Sequence, residues 1–399
     1  MKVKNDKGGL TMTKIYLIRH AEAEGNYYRR AQGIYDANVT PLGRKQIADL
    51  AERFRAVPLD ALYSSDLVRT RSTATAITKY HPELTAKLDP RLREIGIGIW
   101  EDHPWGDLIR DWPEQMGYFS VDPVRYRITG CELYADMQGR MDSAMTDIAR
   151  ENEGKTIAVV SHGTVIRGFL CRLMGIGSAD IHRLPHGDNT AVHCLTWENG
   201  RFTIEYCNDN SHLADEHSTF RRQTWWRREA GSYGDEDNAT FEPVDLDADA
   251  DLYADCYAAT WMQSHGNLNG YNEMIYLAMA KNHADEDPRL LVKLLRSGEF
   301  AGLIELDKKR DPEAGWISLI YMKPEYRDRR LGVQLLGHAV SYFRELGFEK
   351  IRLHVSQTNT AAIGFYEYND FVKIASVPGV GGELWRMEMD IRPRVWTLP

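Results

Sequence analysis

The sequence predicts an α/β protein built as two domains, and three observations carry that prediction. At 399 residues the chain is too long for one ordinary domain. In its first half two short apolar runs, residues 15–18 and 156–160, each end on a histidine. Buried strands of an open sheet deliver side chains to the rim in this way, where α/β sheets bind ligands. In its second half, strand-like runs at 289–295, 299–306, 315–322 and 350–355 are interleaved with helical stretches.

Composition sets the frame. A hydrophobic content of 43% and a charged content of 27% suit a soluble globular chain. The net charge of -9 gives no global basic footprint, so nucleic acid is not an expected partner. Five cysteines, Cys131, Cys171, Cys194, Cys207 and Cys256, are scattered without a Cys-x-x-Cys pair and read as reduced thiols of a cytoplasmic protein. Residues 1–13 lack an apolar h-region and read as a disordered extension, with Met12 an alternative start. No apolar run is long enough to span a bilayer, so no membrane partner is expected.

Taken in order, the first strand delivers Arg19-His20 and is followed by Ala21-Glu22-Ala23-Glu24-Gly25-Asn26. A turn-rich loop holds Gln32-Gly33 and Asp36, and Thr40 caps a helix through Phe54. A short strand at 60–63 leads to Ser65-Asp66-Leu67-Val68-Arg69, with Arg69 at a helix N-terminus that itself favours anions. Arg71, two residues on, points elsewhere. Then come Leu92-Arg93-Glu94 and Gly98-Ile99-Trp100-Glu101. Residues 102–130 show no clean periodicity and read as an insertion over the site; its Arg110, Arg125 and Arg127 suit surface roles. A helix from Gly130-Cys131-Glu132 to about 152 precedes the strand that ends on Ser161-His162-Gly163. Two further strands at 191–207 meet at Asn199-Gly200, a type I′ hairpin signal.

These five ordered motifs, over residues 14–212, resemble the histidine phosphatase superfamily, whose phosphoglycerate mutase-like fold is an α/β/α sandwich. Ala21 and Ala23 depart from its Arg-His-Gly-Glu-Thr-Glu pattern, and Leu133 replaces a serine after Glu132. The resemblance implies His20 as the nucleophile, Glu94 as general acid, and Arg19, Asn26, Arg69 and His162 as the phosphate site. It implies substrate contacts from Gln32, Gly33 and Glu132. Two arginines can clamp a phosphate monoester, a neutral imidazole can attack phosphorus, and a protonated His162 beside the phosphoryl oxygens can stabilise their charge. No metal is required, and no ligand set at metal spacing is present in the sequence.

Residues 213–239 read as a linker. Its aromatic-basic patch, residues 220–228, suits a helix packed between domains better than a base-stacking surface, and residues 231–238 suit a flexible joint. Beyond it a strand at 240–244 and helices at 245–264 and 272–282 precede the interleaved strands. The strand at 315–322 runs into Arg327-Asp328-Arg329-Arg330-Leu331-Gly332 and a helix, and Asn359 opens a helix carrying Phe365-Tyr366. Strands near 371–377 and 384–390 follow, and residues 392–399 form a tail.

Residues 240–391 resemble the GNAT N-acetyltransferase superfamily, a mixed α/β fold. The resemblance implies acetyl-CoA as cosubstrate, held by Ile320, Met322, Arg327, Arg330, Leu331, Gly332 and Asn359, with Tyr366 as the acid for the leaving thiolate. Backbone N–H groups at such a helix N-terminus hold a pyrophosphate. Arg330 stands where the family has glycine. Glu305 is one option for the base, without assignment. The expected function is a bifunctional enzyme acting on a small phosphorylated metabolite and an amine acceptor. The alternatives are a phosphatase with an acyl-CoA-binding regulatory module, and a phosphoglycerate mutase. A homo-oligomer is left open.

Overall fold

The computed structural model describes residues 12–223 and 238–399. The first domain contains β1 (Thr13–Arg19), α1 (Glu24–Tyr27), α2 (Pro41–Phe54), β2 (Ala61–Ser64), α3 (Val68–Thr78), β3 (Ala86–Leu88), α4 (Trp105–Asp111), α5 (Pro113–Val121), α6 (Tyr134–Glu151), β4 (Thr156–Ser161), α7 (Gly163–Leu173), β5 (Val192–Glu198), β6 (Arg201–Asp209) and α8 (Thr219–Arg222). Its sheet has the order β3-β2-β4-β1-β5-β6, with β5 antiparallel to β1. The alternation of the central strands builds two cores. Ile15, Leu17, Ile157 and Val159 face the core that contains residues of α6 and α7, while Ile18, Ala158 and Val160 face that of α2 and α3. This is the expected sandwich.

The second domain contains β7 (Thr240–Pro243), α9 (Ala250–His265), α10 (Glu273–Glu286), β8 (Leu291–Arg296), β9 (Glu299–Asp307), β10 (Gly315–Met322), α11 (Gly332–Glu345), β11 (Lys350–Ser356), α12 (Thr360–Tyr368), β12 (Val372–Gly379) and β13 (Gly382–Asp390). Its sheet runs β12-β13-β11-β10-β9-β8-β7. β10 and β11 pair in parallel only over Gly315–Ile317, although β10 stays paired to β9 as far as Met322. Past Ile317 the two parallel strands therefore diverge and leave a gap in the sheet.

Several expectations shift. The helix expected over 245–264 begins at Ala250, because the Asp245 carboxylate accepts the Asp247 N–H and caps a local turn instead. The insertion at 102–130 contains α4 and α5, two short helices with Pro113 opening the second. The hairpin at Asn199-Gly200 has positive φ at both residues (54° and 78°), as a type I′ turn requires. The expected extension lies outside the described residues up to position 11. The linker's patch and joint also fall outside them at 224–237, leaving Phe220, Arg221 and Arg222 in α8.

The domains are joined by more than the linker. Arg344 of α11 forms a bidentate pair with Glu24 of α1, and Tyr28 packs into the second domain's core, where a side chain on Gly337 would collide with it. The tail at 392–399 runs back onto the first domain. There the Trp396 N–H donates to Ser72 Oγ, and Trp396 and Leu398 pack on the α2–α3 core.

Candidate active sites

The rim of the first sheet gathers the expected residues. His20 follows β1, His162 follows β4, and both rings are buried with their centroids 5.2 Å apart. His20 Nδ1 lies 2.7 Å from the Ala21 carbonyl, which fixes the proton on Nδ1 and leaves the lone pair on Nε2. Burial, then the Arg69 and Arg19 charges, hold its pKa well below the usual histidine value. Arg69 at the start of α3 is fully buried and donates to the Gly33 and Tyr35 carbonyls and, from Nε, to His162 Nδ1. Arg71 is exposed.

The expected protonated His162 is corrected by the structure. A nitrogen that accepts from a guanidinium carries a lone pair. His162 is therefore a neutral ring with its proton on Nε2, facing Ser65 Oγ at 2.9 Å. Burial, then Arg69 and His20, push its pKa well below the usual value. Glu94 is buried at the N-terminus of α7, where its carboxylate accepts the Thr164, Val165 and Ile95 N–H groups.

A cavity of about 170 Å³ opens over Arg19, His20 and Glu94, whereas Arg69 and His162, both fully buried, do not line it. Arg19, His20, Asn26, Gln32 and Glu94 line it, and Ile97, Trp105, Met116 and Phe119 form its apolar wall, so the insertion does sit over the site. Arg19 Nε and Gln32 Nε2 are buried donors with no partner among the described residues.

Two expected substrate contacts are corrected. Glu132 stays out of the cavity, because Arg140 takes both its carboxylate oxygens at 2.6 and 2.8 Å. Arg140 in turn holds the Arg91, Arg93 and Glu94 carbonyls, so Glu132 steadies the loop that carries Glu94. Gly33 is a positioning residue: a Cβ there would meet the Ile95 carbonyl at 2.6 Å, and its own carbonyl holds Arg69. Arg110, Arg125 and Arg127 bond within or beside their own helices or to the Phe241 carbonyl.

In the second domain the gap between β10 and β11 opens into a cavity of about 1020 Å³. Ile320, Met322, Arg327, Arg330, Gly332, Asn359 and Tyr366 line it, as does Tyr27 of the first domain. The Ser318 hydroxyl in the gap is buried without a partner among the described residues. Burial raises the Tyr366 pKa, so its hydroxyl keeps its proton. Asn359 caps α12 through the Ala362 N–H. Leu331 is corrected: its side chain belongs to the second domain's core rather than the cavity. Arg330 holds a left-handed backbone (φ 57°), the conformation that suits glycine, and its guanidinium donates to the Arg222 carbonyl at the domain boundary.

The profile of the Histidine phosphatase superfamily (branch 1) matches residues 15–210. Phosphoserine phosphatase 1 of Hydrogenobacter thermophilus is 29% identical over 204 residues, 51% of this chain and 96% of that protein. The Yersinia pestis protein named "Probable phosphoglycerate mutase GpmB" is 31% identical over 209 residues, covering 51% and 95%. The chain belongs to the histidine phosphatase superfamily. Residues 250–371 match the Acetyltransferase (GNAT) family, so a GNAT domain follows the phosphatase domain. Among solved structures, YhfR of Bacillus stearothermophilus is 30% identical with a TM-score of 0.49, covering 51% of this chain and 100% of that one.

The phosphatase domain also uses residues that sequence reasoning missed. Asn189 Nδ2 donates to the His20 carbonyl, just before β5. Because β5 is antiparallel, its start shares the rim with the ends of β1 and β4, and that topology was the signal. Glu101 accepts the Gly33, Ile34 and Tyr35 N–H groups and so shapes the loop that holds Arg69. Arg167, His186 and Asn238 also line the phosphatase cavity. Asn238, from the lead-in to the GNAT domain, accepts from Arg29 Nε at 3.0 Å.

Proposed function

We propose that the chain is a bifunctional enzyme of the cytoplasm. Its phosphatase domain hydrolyses a small phosphate monoester through a phosphohistidine, and its GNAT domain transfers an acetyl group from acetyl-CoA to a small amine. The observation that carries the first half is His20. Its Nδ1 proton is tied to a carbonyl, its charge is disfavoured, and Nε2 presents a lone pair beside two buried arginines.

The chemistry follows. Arg19 and Arg69 hold the phosphoryl oxygens, and the unpartnered Arg19 Nε gains an acceptor it lacks in the protein alone. His20 Nε2 bonds to phosphorus as the ester P–O bond breaks, and Glu94 delivers a proton to the departing oxygen. Glu94 then takes a proton from the water that attacks phosphorus, and the N–P bond breaks. His162 turns its Nε2–H from Ser65 to a phosphoryl oxygen, acting as a neutral donor. The small cavity suits a small ester. Phosphoserine and 3-phosphoglycerate are the first to assay, given the names of the relatives.

In the GNAT domain, the widened strand gap, the orphaned Ser318 hydroxyl and the N-terminus of α11 fit acetyl-CoA. When bound, it supplies an activated thioester. Arg327, Gly332 and Asn359 line the binding end, and Tyr366 holds the proton for the departing sulfur. The acceptor ammonium releases one proton to solvent by way of Glu305, which lines the same cavity, and attacks as a free amine. The C–N bond forms, the C–S bond breaks, and the amine's second proton replaces that of Tyr366.

The experiment is a screen of phosphorylated metabolites with released phosphate as readout, on wild type and His20→Ala. The variant should lose phosphate release and the acid-labile phosphoenzyme. Turnover within tenfold of wild type would overturn the assignment. Transfer of phosphate between the positions of phosphoglycerate without its release would instead establish the mutase.

A further inference from the structure

The acetyl-CoA gap is only one end of the large cavity in the GNAT domain. Its other end is walled by Tyr257, Tyr276 and Trp261, with the Tyr257 and Tyr276 rings stacked at 4.0 Å. Two carboxylates, Glu305 and Asp307, and one guanidinium, Arg310, line this end together. Glu305 stands opposite Leu319 in the β9–β10 register, at the bulge where β10 leaves β11. It is therefore beside the place where the strand gap ends.

Glu305 is a built feature. It is buried, and its two oxygens meet His283 Nδ1 and the Tyr253 hydroxyl, each at 2.8 Å. His283 reaches Asp307 with its other nitrogen, at 3.4 Å. Each carboxylate oxygen keeps a lone pair for a further donor. Arg310 lies with its guanidinium 4.3 Å over the Trp316 ring. Its side chain makes no hydrogen bond or ion pair among the described residues, and its charged neighbours are Asp307, Arg386 and Glu305. Of the other basic groups here, His354 accepts from Arg386 Nε and is neutral, and His265, against Trp261, has its pKa lowered by burial. An anion in this end therefore meets Arg310, and an ammonium meets Glu305.

The turn of the neighbouring hairpin lies beside this end. The β12–β13 turn folds onto α9 and the loop after it. A Cβ on Gly270 would meet Val380 at 2.3 Å, and one on Gly381 would meet His265 at 2.3 Å.

We propose that the acetyl acceptor is a free α-amino acid. Its ammonium faces Glu305, its carboxylate is held by Arg310, and its apolar or aromatic side chain lies against Tyr257, Tyr276 and Trp261. One acid and one guanidinium without a side-chain partner, lining the same aromatic-walled end, match a zwitterion and disfavour a simple amine, which would leave Arg310 unused. The inference rests on the acetyltransferase reading of this domain.

The test compares matched acceptors on the full chain with acetyl-CoA: phenylalanine against phenethylamine and phenylalaninamide, and leucine against isoamylamine. The amino acids should be preferred in kcat/KM by about tenfold or more, the worth of one charge-assisted contact. Arg310→Gln should remove that preference by raising KM for the acids alone. Equal or better acetylation of the decarboxylated amines would overturn the proposal. The same acceptors are titrated against the chain with CoA bound, following tryptophan fluorescence. Binding of the amino acids that depends on Arg310, without acetylation of any amine, would sustain the site and sink the transferase reading. Absence of both binding and acetylation would overturn the proposal.

Discussion

Arg69 donates from Nε to Nδ1 of His162 over 3.1 Å, and this single bond fixes the protonation of one side of the phosphatase site. His20 is fixed from the other side by the Ala21 carbonyl. Both rings are buried beside two guanidinium groups, which disfavours a third positive charge.

A pH dependence follows with a definite sign. Both histidines have pKa values below the ordinary 6.5, so the neutral form that the mechanism needs persists as pH falls through that value. The acid limb of kcat/KM should therefore lie below pH 6.5, and the two imidazoles should not titrate between pH 6.5 and 8 by NMR. A midpoint at or above 6.5 for either ring would contradict this.

Glu94 accepts three N–H groups, and the proposed mechanism has it deliver a proton once substrate is bound. Glu94→Gln keeps the shape and removes that proton. Loss should be about 10²- to 10⁴-fold for alkyl phosphates, whose alkoxide leaves badly, and under about tenfold for 4-nitrophenyl phosphate. Equal loss for both esters would make Glu94 a positioning residue only.

Much of this was legible because chemistry and topology share a signature: a buried strand that stops on Arg19-His20 or Ser161-His162 announces the rim. Arg69 could be told from Arg71 because only one of two residues so spaced on a helix can face inward. What was lost depended on distance. Nothing near Glu132 foretells that Arg140 takes its carboxylate, or that Asn238, more than two hundred residues after Arg29, bonds to it. Likewise α7 was missed, although its N-terminus is what seats Glu94.

The domain seam offers a comparison of two ion pairs. Arg344–Glu24 is largely buried, with side-chain exposures of 17% and 12%, whereas Arg44–Asp370 is at 31% and 42%. Removing one partner of a buried pair strands the other charge. Glu24→Gln should cost about 3 kcal/mol in denaturant unfolding, and Asp370→Asn about 0.5 kcal/mol. Equal costs would show that Arg344 finds solvent when its partner is gone.

Arg330 tests the GNAT loop. The family's glycine is replaced here by a residue at φ 57°, so the backbone keeps the glycine conformation and the side chain is the only departure. That side chain reaches the Arg222 carbonyl on the first domain's last described helix. Arg330→Gly relieves a left-handed conformation worth roughly 1 kcal/mol and removes the boundary contact. If the guanidinium serves the seam, CoA affinity by calorimetry on the full chain should change less than about threefold. If it serves the pyrophosphate, a charge-assisted contact of about 1.5–3 kcal/mol is lost and affinity falls roughly tenfold or more. The carbonyl contact favours the first outcome. The salt dependence separates the two further, since only a pyrophosphate contact would make the wild type lose more affinity than the variant as ionic strength rises.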